Sequence, residues 1–123
     1  MSKYLERAEK LRAIVEPHYN CAQSVLMSFS PDFNLSDEAA YKIAVHYGAG
    51  MKSGNVCGAV TGALTALGLA GKSDEVLQKF KENHKGCLNC VDLLRQNKEA
   101  GGNKKAHCDA CVYECVKLVE ELL

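Results

Sequence analysis

Apolar positions recur at helical spacing almost from the start of the chain. Between Ser2 and Val15, Leu5, Ala8, Leu11 and Ile14 or Val15 fall at three- and four-residue steps, so they share one helical face. Pro17 ends that helix. Asn20 can cap a second helix carrying Cys21, Ala22, Val25, Leu26 and Phe29; it stops at Ser30-Pro31, because the residue before proline avoids helical angles. A third begins at Ser36, sets Asp37 and Glu38 against the positive end of its dipole, and runs through Ala40, Ile43, Ala44 and Tyr47 to Gly48.

The pattern then changes. Gly48-Ala49-Gly50-Met51-Lys52-Ser53-Gly54-Asn55 is a glycine loop, and from Val56 to Ala70 the residues Gly58, Ala59, Gly62, Ala63 and Ala66 predict a helix with little side-chain bulk. Neighbouring backbones can approach such a helix closely, which suits the central rod of a bundle. Ser73 can cap a fifth helix holding Val76, Leu77 and Phe80 and ending between His84 and Gly86; a short sixth runs from Val91 to about Lys98, before the Gly101-Gly102 break. The last is expected over Asp109 to Leu122. It aligns Val112, Val116, Val119 and Leu123, with Cys108, Cys111 and Cys115 on a nearby face. No segment alternates as a strand does. The expected fold is an all-α bundle of six to seven short helices in one domain over residues 1–123.

Size and charge narrow the partners. A chain of 123 residues has room for one core, and its 15 basic and 15 acidic side chains cancel, leaving no global field to draw it to nucleic acid or an anionic bilayer. The longest uncharged run, Ser53 to Gly71, is interrupted by five glycines, which fits a loop and a buried helix rather than a membrane span. The N-terminal Met1-Ser2-Lys3-Tyr4-Leu5-Glu6-Arg7 lacks the apolar run of a secretory signal, so a reducing, cytoplasmic setting is expected. Seven cysteines in such a setting point to metal binding or redox chemistry rather than structural disulfides.

Four of these cysteines stand where a loop gives way to a predicted helix: Asn20-Cys21, Asn55-Val56-Cys57, Asn89-Cys90 and His107-Cys108. Free N–H groups at a helix start favour thiolate over thiol, making a better ligand or nucleophile. If alternating helices bring these ends together, the thiols line one pocket roofed by the glycine loop. Gly54 and Gly58, on either side of Cys57, would let backbone pass close to that thiol or to a cofactor. The plainer alternative is that each cysteine is a small buried hydrophobe; Cys115 is read that way.

A second spacing competes. Cys87-x-x-Cys90 and Cys108-x-x-Cys111, separated by 17 residues, fall in the window of a four-thiolate zinc site, but that reading leaves Cys21 and Cys57 without a role. The loop lacks the Gly-Lys-Ser/Thr ending of a phosphate cradle. His18, His46, His84 and His107 are further candidate ligands, and His107 adjoins Cys108, whose proton it could tune.

Cys57-Gly58-Ala59-Val60-Thr61-Gly62 resembles the centre of a family of small bacterial redox-active proteins named for their Cys, Gly-Cys-Ala-x-x-Gly, Cys, Cys pattern. The wider Gly50 to Leu69 block resembles it too; Tyr19-Asn20-Cys21-Ala22-Gln23-Ser24-Val25-Leu26 looks like the family's first cysteine, and Cys90-Val91-Asp92-Leu93-Leu94 like its third. Spacing to Val116-Lys117-Leu118-Val119-Glu120-Glu121 makes Cys108 the fourth, with Cys111 one turn away as the alternative. Cys87 and Cys115 are additional. The resemblance implies a small redox-active or cluster-binding module of unassigned substrate.

Three functions are therefore expected of the cysteines. In the first, Cys21, Cys57, Cys90 and Cys108 ligate an iron–sulfur cluster that passes single electrons to a redox partner protein. The second is metal-free thiol–disulfide chemistry in which Cys57 attacks and Cys90 resolves. The third is structural zinc on Cys87, Cys90, Cys108 and Cys111. A homodimer completing the site stays open.

Overall fold

The computed structural model describes residues 2–123. It is all-α: α1 (Lys3–Ala13), α2 (Cys21–Phe29), α3 (Asp37–Ala44), α4 (Gly58–Leu69), α5 (Val76–Asn83), α6 (Cys90–Glu99) and α7 (Lys104–Leu122), with no strand among the described residues. The seven-helix bundle agrees with the sequence expectation.

Helix α2 lies deepest. Every residue from Ala22 to Phe29 is buried, because α1, α3, α4 and α7 all pack on it. Its polar side chains are satisfied locally: Ser24 Oγ donates to the Asn20 carbonyl, Ser28 Oγ to that of Ser24, and Gln23 Nε2 to that of Tyr41. The small-residue helix α4 lies against it. A Cβ on Gly62 would come within 2.7 Å of the Ala22 carbonyl oxygen, so the two backbones touch where the sequence predicted close approach.

Several boundaries differ from the pattern. α1 ends at Ala13, so Val15 is exposed rather than part of the apolar face. α3 stops at Ala44 instead of continuing to Gly48. The Asn20 side-chain amide donates to the carbonyls of Ala44 and Val45, satisfying the helix end and tying it to the start of α2. α5 is not capped by Ser73: backbone bonds from Leu77 to Asp74 and from Lys79 to Glu75 close its first turn. The largest difference is α7, which starts at Lys104 rather than Asp109, because the Asn103 side chain accepts from the Ala106 amide and caps the helix there. Leu123, expected on its apolar stripe, is exposed, whereas Val112, Val116 and Val119 are fully buried.

The glycine loop takes an unusual form. Ala49, Gly50, Met51 and Lys52 all have positive φ, between 53° and 62°, forming one turn of left-handed chain in which three residues are not glycine. Gly50 is required there, since a Cβ would collide with the Asn55 backbone. Past this turn the chain is lashed to the start of α6: Cys57 N–H donates to the Leu88 carbonyl at 2.8 Å and Cys90 N–H to that of Asn55 at 2.6 Å. The first residues of α4 and α6 are thus held side by side.

Candidate functional site

A cavity of about 550 Å³ opens where the starts of α2, α4 and α6 meet the first two turns of α7. Its walls carry five cysteines: Cys21, Cys57, Cys90, Cys108 and Cys111. The four expected at helix starts are therefore brought to one cavity. Cys21 and Cys90 are the first residues of α2 and α6, and Cys57 caps α4. Cys108 is the exception. With α7 beginning at Lys104, it lies in the second turn, beyond the free amides of the helix start.

The thiols are arranged as pairs. Cys108 and Cys111, three residues apart on one face of α7, face Cys21 and Cys57 respectively, and each pair shares a hydrogen bond. Within a pair the proton is unequally held. The hydrogen bond from Cys21 favours the Cys108 thiolate, aided by Arg12 and Lys104, and lowers Cys108 from the usual 9.0 to about 6. Cys21 is correspondingly pushed up, first by that shared bond and then by burial. In the other pair the order along the fold is reversed: Cys57 is lowered by the bond from Cys111 and by the Ala59 and Val60 amides of α4, while Cys111 is raised. Cys90 has no such thiol partner, and burial raises it, followed by the nearby charges of Cys57 and Cys108.

The helix-start argument therefore holds at Cys57 and fails at Cys21 and Cys90. Asn20 and Gln23 explain the failure at α2. Their side chains form a reciprocal capping box, with the Asn20 oxygen accepting from Gln23 N–H and the Gln23 oxygen accepting from Asn20 N–H. Asn20 thus holds the cap position and takes the Gln23 amide, and Cys21 sits one residue inside the helix. At α4 the cap position is Cys57 itself, with no side-chain cap hydrogen bond, and the Ala59 and Val60 amides favour its thiolate.

Basic side chains surround the thiols. Arg12, Lys52, Lys104 and Lys105 reach the cavity walls, and among the described residues no carboxylate does. Arg12 is the buried one: its Nε donates to Asp109 Oδ1 at 2.7 Å and its guanidinium to the Tyr19 carbonyl at 3.0 Å. The sequence reading missed it, yet a signal was present. Arg12 lies four residues after Ala8 and seven after Leu5, on the apolar face of α1.

The remaining candidates are placed apart or differently. Cys87 is not in the cavity wall; its sulfur accepts from Gln96 Nε2 at 3.2 Å, so the Cys87, Cys90, Cys108, Cys111 set is not assembled. Cys115 is fully buried in the core, as expected. His107 contacts Cys111 rather than its neighbour Cys108, with Nε2 at 3.6 Å from Sγ one turn along α7, and burial lowers its pKa. His84 stacks on Phe80 and pairs with Glu114 at 2.7 Å, away from the cavity, whereas His18 lies in its wall. Gly58 lines the cavity beside Cys21; Gly54 lies instead against Val91.

The donor chemistry fits an iron–sulfur group: sulfur ligands from four helices, room between them, and basic walls to offset negative charge. It is not a ready cage for one ion, since among the described residues no three His, Cys, Asp or Glu are grouped to hold a metal. Among the described residues no helix is long and apolar enough to cross a membrane. The family model described as "Putative redox-active protein (C_GCAxxG_C_C)" matches residues 19–122. Searches of curated proteins and of solved structures gave no match.

Proposed function

Because the chain belongs to the C_GCAxxG_C_C redox-active family, we propose that it is a one-electron carrier in which Cys21, Cys57, Cys90 and Cys108 hold an iron–sulfur cluster. The observation that carries this reading is the convergence of these four cysteines, from four separate helices, on one cavity with basic walls and, among the described residues, no carboxylate. Bound there, the cluster would supply a reversible one-electron couple.

The chain's own residues set the terms. Cys57 and Cys108 are the thiols most readily ionised, and so the first to ligate without losing a proton. Arg12, fixed by Asp109 and Tyr19, sets a buried positive charge beside Cys21 and Cys108, which stabilises added negative charge. The Cys57–Leu88 and Cys90–Asn55 backbone bonds hold two ligands in register. The left-handed turn carrying Ala49 and Lys52 forms one wall of the cavity. A cytoplasmic setting and a protein redox partner belong to the same proposal, since the ligands must stay reduced and the electron must leave.

The test is a visible spectrum with iron, zinc and sulfide analysis on protein purified without oxygen. Broad visible absorption with iron and sulfide is expected, and Cys21→Ser should lose both. A colourless wild-type protein, or full cluster content in Cys21→Ser, would overturn the quartet.

A further inference from the structure

The quartet leaves one cavity thiol without a role. Cys111 is buried, lines the cavity and hydrogen-bonds Cys57, while the same helix presents Cys108 to Cys21. α7 therefore offers two sulfurs, one turn apart, to two different helix starts. The frame that sets these pairings is well packed: α2, α4 and α7 all contact one another. Cys90 shares the cavity but faces neither α7 sulfur as a hydrogen-bonded partner.

We propose that, without metal, the cavity closes two specific disulfides, Cys21–Cys108 and Cys57–Cys111, with Cys111 the resolving thiol of Cys57. The oxidant class is a small-molecule disulfide that the cavity can admit. One protein sulfur attacks it, forming a mixed disulfide and releasing one external thiol. The paired sulfur then attacks the mixed disulfide, breaks it and releases the second external thiol. Each cycle oxidises two protein thiols, reduces one external disulfide to two thiols, and sends both protons out with the leaving sulfurs. The inference deepens the proposed redox reading of this cavity but does not depend on a cluster. Its consequence is exclusion: closing either pair withdraws at least one quartet ligand, so disulfide and cluster states alternate.

The experiment treats metal-free, fully reduced protein with oxidised glutathione, blocks remaining thiols with iodoacetamide, and maps linkages by mass spectrometry. Cys21–Cys108 and Cys57–Cys111 peptides are expected, with Cys87 and Cys90 alkylated. Cys111→Ala should keep the first linkage and trap Cys57 as its mixed disulfide with glutathione, protected from alkylation, so that about three rather than four thiols of glutathione are released per chain. A Cys57–Cys90 linkage, scrambled pairs or no disulfide in the wild type would overturn the proposal. Circular dichroism checks that Cys111→Ala is folded; if it is not, Cys57→Ala must leave Cys111 alkylatable and Cys21–Cys108 intact, and a new Cys90–Cys111 linkage would count against the pairing. Iron and sulfide content of oxygen-free Cys111→Ala separates the two claims: it should equal wild type if the quartet is right. Absence of a cluster from the wild type would overturn that reading while leaving the mapped disulfides standing.

Discussion

The Cys21–Cys108 and Cys57–Cys111 pairs each join the start of a short helix to α7, yet the thiolate falls on opposite members. In the first it is on α7, at Cys108, beside the Arg12 guanidinium and Lys104; in the second it is on the helix start, at Cys57, against the Ala59 and Val60 amides. The difference comes from capping. Asn20 holds the cap position of α2 and takes the Gln23 amide, whereas Cys57 itself occupies the cap position of α4, beside the Ala59 and Val60 amides. A helix start lowers a thiol's pKa only where its N–H groups are still free to face it.

The strongest way to break this contrast is Arg12→Met. It removes the buried cation from one pair only, and leaves Asp109 with Lys105 as its remaining partner. We expect a loss of about 3 kcal/mol in stability, as for a broken buried pair, measured by urea unfolding. The alkylation profile of Cys108 should move to higher pH while that of Cys57 stays in place. If both profiles move together, the two thiolates are not separately stabilised.

Asn20→Ala acts on the other side of the comparison. It opens the α2 cap and frees the Ala44 and Val45 carbonyls, and should cost about 1 to 2 kcal/mol. The freed Gln23 amide should favour a Cys21 thiolate, so Cys21 alkylates faster relative to Cys108 than in the wild type, as read by mass spectrometry of the two peptides.

The pH dependence of stability of the reduced, metal-free protein should be smaller and shared by both pairs. Cys108, lowered from 9.0 to about 6, contributes stability that is full above 9 and is lost as pH falls through about 6. Cys21, raised, contributes stability that is present below 9 and is lost as pH climbs beyond it. Stability should therefore rise from pH 6 to about 9 and then turn down, with a flatter rise in Cys108→Ala. Lys104→Gln should have the least effect, because that side chain is exposed: a shift of a few tenths of a pH unit in Cys108 alkylation, shrinking further in high salt.

Most helices were legible because their signals are local. Asn20 and Ser36 stand at the helix starts the pattern predicted, and Ser2 caps α1 in the same way, each side chain accepting from an amide three residues on. Where the reading went astray, a competing cap won: Asn103 extended α7 back past Cys108, and Asn20, reaching across space, shortened α3. The left-handed turn was visible only as glycines, because Met51 and Lys52 adopt positive φ for reasons their own side chains do not announce.

The sequence by itself determined the helical bundle, its small-residue helix and the presence of cysteines at three helix starts, since each depends on spacing and on contacts within a turn or two. Tertiary structure alone decided that Cys111 rather than Cys90 faces Cys57, that Cys87 stands outside the cavity, and that Arg12 lies beside Cys108. Those facts depend on how α1, α2, α4 and α7 pack, and packing is set by the summed shapes of distant side chains that no local pattern records.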